Sequence, residues 1–244
     1  MRYLGNKTKL LHFIDSVIEK HNIDGQIFAD LFAGTCSVGD YYKDKYNIIA
    51  NDYMSFSKII CEAKLLNSSC PKFAKFMEKF GVTPFEWLNS REYVPNENYF
   101  IYHNYTPLGN RMFFTEENAI KIDGMRFDIE DLYMSKEIAY NEYAFLIASL
   151  LESTLRVSNT SGTYQAFLKF WDKRALKIII VTKLCCINYI FSCFLISSIN
   201  FLFSICPIEI LVGNLLNVSR KQVAKLLLIC ASELSTIFCP PSFW

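Results

Sequence analysis

The stretch from Phe28 to Asp52, FADLFAGTCSVGDYYKDKYNIIAND, constrains this chain more than any other. It reads as a strand, a glycine-bearing turn, a short helix, a second strand and an acidic residue at that strand's end. This order opens an α/β fold with a parallel sheet. In such sheets a ligand sits where the carboxyl end of the first strand meets the next helix. Gly34 lets the backbone approach a ligand that a Cβ would exclude, and the helix behind it offers free N–H groups. Asp52, one strand further on, is placed to accept hydrogen bonds from ribose hydroxyls. The pattern marks a nucleoside-cofactor site.

The turn itself narrows the choice of cofactor. A dinucleotide fingerprint reads G-x-G-x-x-G, whereas this chain has G-T-C-S-V-G, with Cys36 at the second glycine. Gly34 and Gly39 stay in register, but the missing glycine is the one that admits a pyrophosphate. The segment instead resembles the F-x-G-x-G motif of S-adenosylmethionine-dependent methyltransferases. Two further stretches extend the likeness: MRYLGNKTKLLHFI at the N-terminus and YAFLIASLLESTLRVSNTSGTYQAFLKFW from Tyr143 to Trp171. All three, in this order, resemble the D12 class of adenine-specific DNA methyltransferases, across residues 1–175.

That resemblance implies an α/β fold: a Rossmann-like S-adenosylmethionine-dependent methyltransferase sheet, here incomplete, with a mostly helical insertion. It implies S-adenosyl-L-methionine as cofactor and double-stranded DNA as substrate, in a restriction-modification setting. Its cofactor residues carry over to Tyr3, near the adenine, and Lys7, near the methionyl carboxylate. Asp30, Phe32, Gly34 and Ser37 lie in the turn motif, and Asp52 takes the ribose. Cys36 departs from the family's usual glycine and narrows the space beside the methionine moiety, so weakened binding is expected. Taken singly, each residue has a plainer reading. Tyr3 suits a half-buried aromatic, Lys7 a solvated charge before a helix, and Asn51-Asp52 ordinary turn chemistry.

One expected motif is missing. D12 enzymes carry Asp-Pro-Pro-Tyr some tens of residues after the FLKxW segment. The target adenine must leave the stack before its amino group can be reached. The aspartate and a proline carbonyl then accept its hydrogen bonds, and the tyrosine stacks on the base. No DPPY, NPPY or SPPY occurs in this chain; the one Pro-Pro, Pro240-Pro241, is flanked by Cys239 and Ser242. Cysteine is a poor acceptor and serine cannot stack. No catalytic residue is therefore assigned, and an inactive copy is expected.

Composition changes abruptly near the same place. Beyond about Lys177 come six of the nine cysteines, no aspartate and only two glutamates, Glu209 and Glu233. Three readings compete for this apolar tail. Leu184 to Cys206 is charge-free and longer than the ~20 residues a membrane span needs. A buried core element is the second reading. The third, favoured here, is an out-of-frame translation product, which suits a Cys-, Ser-, Phe- and Ile-rich end without acidic residues. The alternatives for the chain as a whole are a non-catalytic cofactor- or DNA-binding remnant and a membrane-tethered protein anchored by residues 184–206.

The remaining composition bounds the answer loosely. A chain of 244 residues suits one α/β domain with a smaller insertion. A net charge of +1 gives no global nucleic-acid signal, so DNA contacts must come from a local patch. The cysteines show no C-x-x-C pair and no metal spacing with His12, His21 and His103, so no metal is expected. They read as reduced thiols of a cytoplasmic protein.

A coarse pass predicts a helix capped by Thr8 and running to Glu19, with Leu10, Leu11, Ile14 and Ile18 on one face. Strands follow at 27–32 and 48–51, with a helix at 38–43 between them and another at 55–66. Residues 69–90 read as helical and irregular. The Tyr- and Asn-rich stretch 96–111 reads as a surface loop, 116–132 and 136–155 as helices, and 157–163 as a polar loop. This divides the chain into a cofactor-binding βα half (1–68), a mostly helical target-recognition-like region (69–175) and the atypical tail (176–244). The two loops, with Arg111, Lys121, Arg126 and Arg156 for phosphates, are the expected DNA contacts.

Overall fold

A computed structural model describes residues 6–160 and 166–184. Two strands and eight helices are formed among them. Strand β1 (Ile27–Asp30) and strand β2 (Asn47–Ala50) run parallel, with Ile27 opposite Asn47 and Asp30 opposite Ala50. Helix α2 (Ser37–Tyr42) connects them and α3 (Ser55–Leu65) follows. The described part is thus mixed α/β, mostly helical, with a small two-stranded parallel sheet. The predicted elements of this half recur within one or two residues, except that β1 ends at Asp30 because the chain turns there. Leu31 and Phe32 lead directly into the turn.

The first helix differs in its cap. A 3-10 turn at Thr8–Leu10 leads into α1 (Leu11–Lys20), and Thr8 caps nothing. The Asn6 side chain accepts from the Thr8 N–H at 3.0 Å instead, and α-helical geometry begins only at Leu11. Leu11 is buried while Leu10 lies exposed, since the tighter turn rotates it off the apolar face. Tyr42 of α2 donates to Asp15 at 2.6 Å and ties α2 to α1.

The helical region begins with α4 (Ala74–Phe80) and α5 (Pro84–Ser90). Sequence dictates the start of α5: Thr83 accepts from the Glu86 N–H, the Glu86 carboxylate accepts from the Thr83 N–H, and Pro84 sits at the first helical position. Within the stretch expected as a loop, residues Phe100–Asn104 form α6. The buried Asp123 carboxylate accepts from the Tyr102 N–H at 2.8 Å, so a side chain from a later helix satisfies the start of α6. That helix is α7 (Glu116–Met134), and α8 (Tyr140–Val157) packs against it.

One core joins the turn after β1 with α3, α4, α5, α7 and α8. Helix α3 packs on α8, so Cys36, Ile60 and Ala63 share a cluster with Ile122, Met125, Phe145 and Leu146. Each large apolar side chain buried there contributes about 1.5–3 kcal/mol.

The packing runs past the composition break at Lys177. Ile179, Val181 and Leu184 are buried while Ile178 and Ile180 are exposed, the alternation of an extended chain. Side chains of neighbouring elements supply its hydrogen bonds. Asn118 of α7 accepts from the Ile179 N–H at 2.8 Å and donates to the Lys177 carbonyl at 2.8 Å. Asn89 at the end of α5 accepts from the Val181 N–H and donates to the Val181 carbonyl. Ser153 and Ser149 of α8 accept from the N–H groups of Thr182 and Leu184. The run at 184–206 weighed as a span lies outside the described residues from Cys185 onward. Among the described residues no helix is long and apolar enough to cross a membrane.

Candidate cofactor site

The turn between β1 and α2 is built by backbone conformations and by one carboxylate. Gly34 has φ +51°, a left-handed value that glycine adopts without strain, and a Cβ there would meet nothing closer than 4.0 Å. Cys36 follows at φ +53°, also left-handed, and is fully buried. A cysteine in that conformation is strained, which is the structural sense of the glycine usual at this position in the D12 resemblance. Gly39 serves packing: a Cβ on it would come within 3.1 Å of Ile48 Cγ2 and of Cys36 Sγ. That closeness lets α2 lie against β2.

Asp52, just past the end of β2, reaches back to this turn. Its Oδ2 accepts from the Gly34 N–H at 2.8 Å and its Oδ1 from the Met54 N–H at 2.9 Å. Each carboxylate oxygen can take a further donor, so the group retains acceptor capacity for a pair of hydroxyls.

Asp30 closes β1. It is 1% exposed, and among the described residues neither of its oxygens accepts a hydrogen bond of full geometry. Burial pushes its carboxyl up to about 7; a backbone hydrogen-bonding contribution from Phe32 opposes this, the nearby Asp52 charge adds to it, and Lys7 opposes it. Burial in turn lowers the Lys7 ammonium, while Asp30 favours its charged form. The acid and the base are thus electrostatic neighbours, brought together from the N-terminal segment and the end of β1. Ser37 is buried and exchanges a hydrogen bond with Thr35 Oγ1 at 2.9 Å, and it donates to Asn6 at 3.2 Å. It therefore ties the turn to the N-terminal segment. Phe32 is half-buried beside Ala33, and Tyr3 lies outside the described residues.

Beneath the turn lies a set of groups that the sequence reading did not single out. The neighbouring Cys36 thiol, with burial, pushes the Cys61 thiol of α3 well above its usual range. Lys64 of α3 donates to the Thr35 carbonyl at 3.0 Å and stands 3.6 Å from Asp40. The signal was present in sequence: Ile60, Ala63, Lys64 and Asn67 fall on one helical stripe, so a charge sits on a buried face.

Residues just after the Tyr- and Asn-rich stretch meet the start of the second loop expected to contact DNA and the segment that follows it. The Phe113 and Phe167 rings lie 5.2 Å apart, and Thr160 pairs with Phe167 in an antiparallel bridge. Asn159, placed by sequence in a polar loop, is fully buried instead. Its amide donates to the carbonyls of Met112, Leu168 and Phe170, which fixes one segment against the other. Phe100, Leu108 and Phe170 stand exposed there, as do Arg111, Lys169 and Lys173. Of the other expected phosphate ligands, Arg126 lies over the Phe127 ring and Arg156 donates to Thr182. Lys121 is half-buried in α7.

A parallel βα unit, a left-handed glycine turn and an acidic group joining them match what the D12 resemblance implies. The sequence profile of D12 class N6 adenine-specific DNA methyltransferases matches residues 3–197, and the chain belongs to this family. It is 66% identical over 177 residues to the modification methylase LlaI of Lactococcus lactis subsp. lactis, covering 72% of this chain and 28% of that protein. It is 42% identical to the type II methyltransferase M.FokI of Planomicrobium okeanokoites, with 72% and 28% covered. Likeness to M.CviAII of Paramecium bursaria Chlorella virus 1 is 38%, with 75% and 53% covered. The chain thus spans less than a third of the first two relatives and about half of the third. No solved structure matches.

Proposed function

We propose that this chain is the cofactor-binding and target-recognition part of a site-specific DNA adenine-N6 methyltransferase from a restriction-modification system, and that it transfers no methyl group by itself. Residues 1–68 bind S-adenosyl-L-methionine on a Rossmann-like sheet that is incomplete here. Residues 69–175 face double-stranded DNA, and residues 176–244 form an atypical end that no DPPY motif completes. The setting that suits it is the cytoplasm, where such DNA is found.

One observation carries the cofactor reading: the Asp52 carboxylate bridges the end of β2 to the Gly34 N–H while keeping acceptor capacity for vicinal hydroxyls. The donor set also fits the group. Asp30 offers two buried oxygens that accept no hydrogen bond of full geometry among the described residues, which suits a ligand carrying N–H or O–H donors. Lys7 provides a cation for a carboxylate, and Tyr3 an aromatic face for a purine. The bound cofactor would supply a methyl on a sulfonium. The chain's own residues hold and orient it, and positioning is where an enzyme of this class gains its rate.

For DNA, the exposed Phe100, Leu108 and Phe170 provide stacking surface, with Arg111, Lys169 and Lys173 available to phosphates. The missing step is the last. No aspartate and tyrosine of a DPPY motif are present to accept the adenine amino hydrogens and stack on the flipped base.

Calorimetry with S-adenosylhomocysteine tests this reading. Wild type should bind, and Asp52→Ala should lose about 1.5–3 kcal/mol, the range for hydrogen bonds to a charged group. Equal affinity in the two proteins would remove Asp52 from the site.

A further inference from the structure

Lys64 of α3 is 7% exposed and Asp40 of α2 is 2% exposed, so both charges are buried under the cofactor turn. The Lys64 ammonium stands 3.6 Å from the Asp40 carboxylate and donates to the Thr35 carbonyl at 3.0 Å. Lys43 completes the group, 2.8 Å from Asp40 Oδ1 and donating to the carbonyls of Lys64 and Asn67. Buried ion pairs are costly to desolvate, and apolar side chains of similar volume often serve stability as well. Stability is therefore a weak reason for a lysine here.

The carbonyl it holds suggests a better one. Thr35 O belongs to the peptide that precedes Cys36, and Cys36 stands at φ +53°. Glycine takes that conformation freely, but a cysteine is pushed out of it by its own Cβ. A rotation of the Thr35–Cys36 peptide would relieve the cysteine and change the shape of the turn. The hydrogen bond from Lys64 opposes that rotation.

We propose that Lys64 is a positioning residue for the cofactor turn. Its ammonium, anchored by Asp40, fixes the Thr35–Cys36 peptide and so holds Cys36 in the conformation that a glycine would adopt unaided. This rests on the reading that the turn binds the cofactor, and it predicts a dependence of one residue on the other. Lys64 matters because position 36 is not glycine.

The test titrates S-adenosylhomocysteine into the full chain and into Lys64→Met, Cys36→Gly and the double variant. Lys64→Met should bind at least tenfold more weakly than wild type. In the Cys36→Gly background the same substitution should cost no more than about threefold. Hydrogen exchange should quicken at residues 33–37 in Lys64→Met and stay unchanged through α8, an effect that a general loss of stability would not confine to the turn. Wild-type affinity in Lys64→Met, or an equal loss in both backgrounds, overturns the proposal. Should Lys64→Met not fold, Lys64→Gln is titrated in its place; failure of both to fold assigns the lysine to stability and overturns it too. No binding by wild type itself would instead remove the cofactor reading, and this inference with it.

Discussion

Replacing Asp30 by asparagine should change how stability depends on pH. The folded carboxyl titrates at about 7, against 3.8 for an ordinary aspartate, chiefly because it is buried. At ~1.4 kcal/mol per pH unit, the charged form is disfavoured in the fold by about 4 kcal/mol, an order-of-magnitude figure. The sign follows from proton binding. Between pH 4 and 7 the folded protein holds a proton that the unfolded chain has lost, so this group's contribution is fullest below about pH 4. It declines as the pH rises through 7. Asparagine carries no such charge. Urea unfolding of the unliganded chain, followed by tryptophan fluorescence, should show Asp30→Asn gaining on wild type from pH 5 to pH 8 by about 2.5 kcal/mol, because the rest of the term is already lost below pH 5. The change with pH is the readout, since the amide brings its own unmet donors. A wild type–variant difference that is the same at both pH values would refute the buried, unpartnered state of this carboxyl.

Other perturbations read other parts of the molecule. Asn118→Ala should cost roughly 2 kcal/mol or more in unfolding free energy, because it strips the Ile179 N–H and the Lys177 carbonyl of their buried partner. Gly124→Ala should destabilise by about 1–3 kcal/mol in the same assay, since the new Cβ would come 2.2 Å from the Tyr93 ring. Transfer of a labelled methyl group to unmethylated genomic DNA should be absent for this chain. It should be present for a version in which a reading frame after Lys177 restores DPPY, and equal incorporation by both would reveal an acceptor other than the missing aspartate.

The sequence was most legible where local pattern and local structure coincide. The alternation from strand to turn to helix at residues 27–66 depends on neighbours a few positions apart, and so does the capping box at Thr83. The family followed from residues in order along the chain. What escaped the reading depended on partners distant in sequence. Asn89 meets Val181 across 92 positions, and α6 starts where it does because Asp123 lies beneath it. Lys64 is one more charge on a helix by composition, and only the stripe it shares with Ile60 and Ala63 marks it as buried. Asn159 passed for loop polarity, although its amide bonds join stretches of chain around residues 112 and 168.

The extended segment at residues 177–184 has a consequence for how freely its sequence can vary. Asn118, Asn89, Ser149 and Ser153 grip it through main-chain N–H and C=O groups, which every amino acid except proline offers alike. The only demand on side chains is an apolar residue at every other position on the inner side, with Ile179 and Val181 filling it here. A clamp of that kind reads backbone and not side-chain identity. It would hold any sequence that keeps the inward positions apolar and the bonded ones free of proline, so this stretch can change its residues widely while the fold around it stays closed.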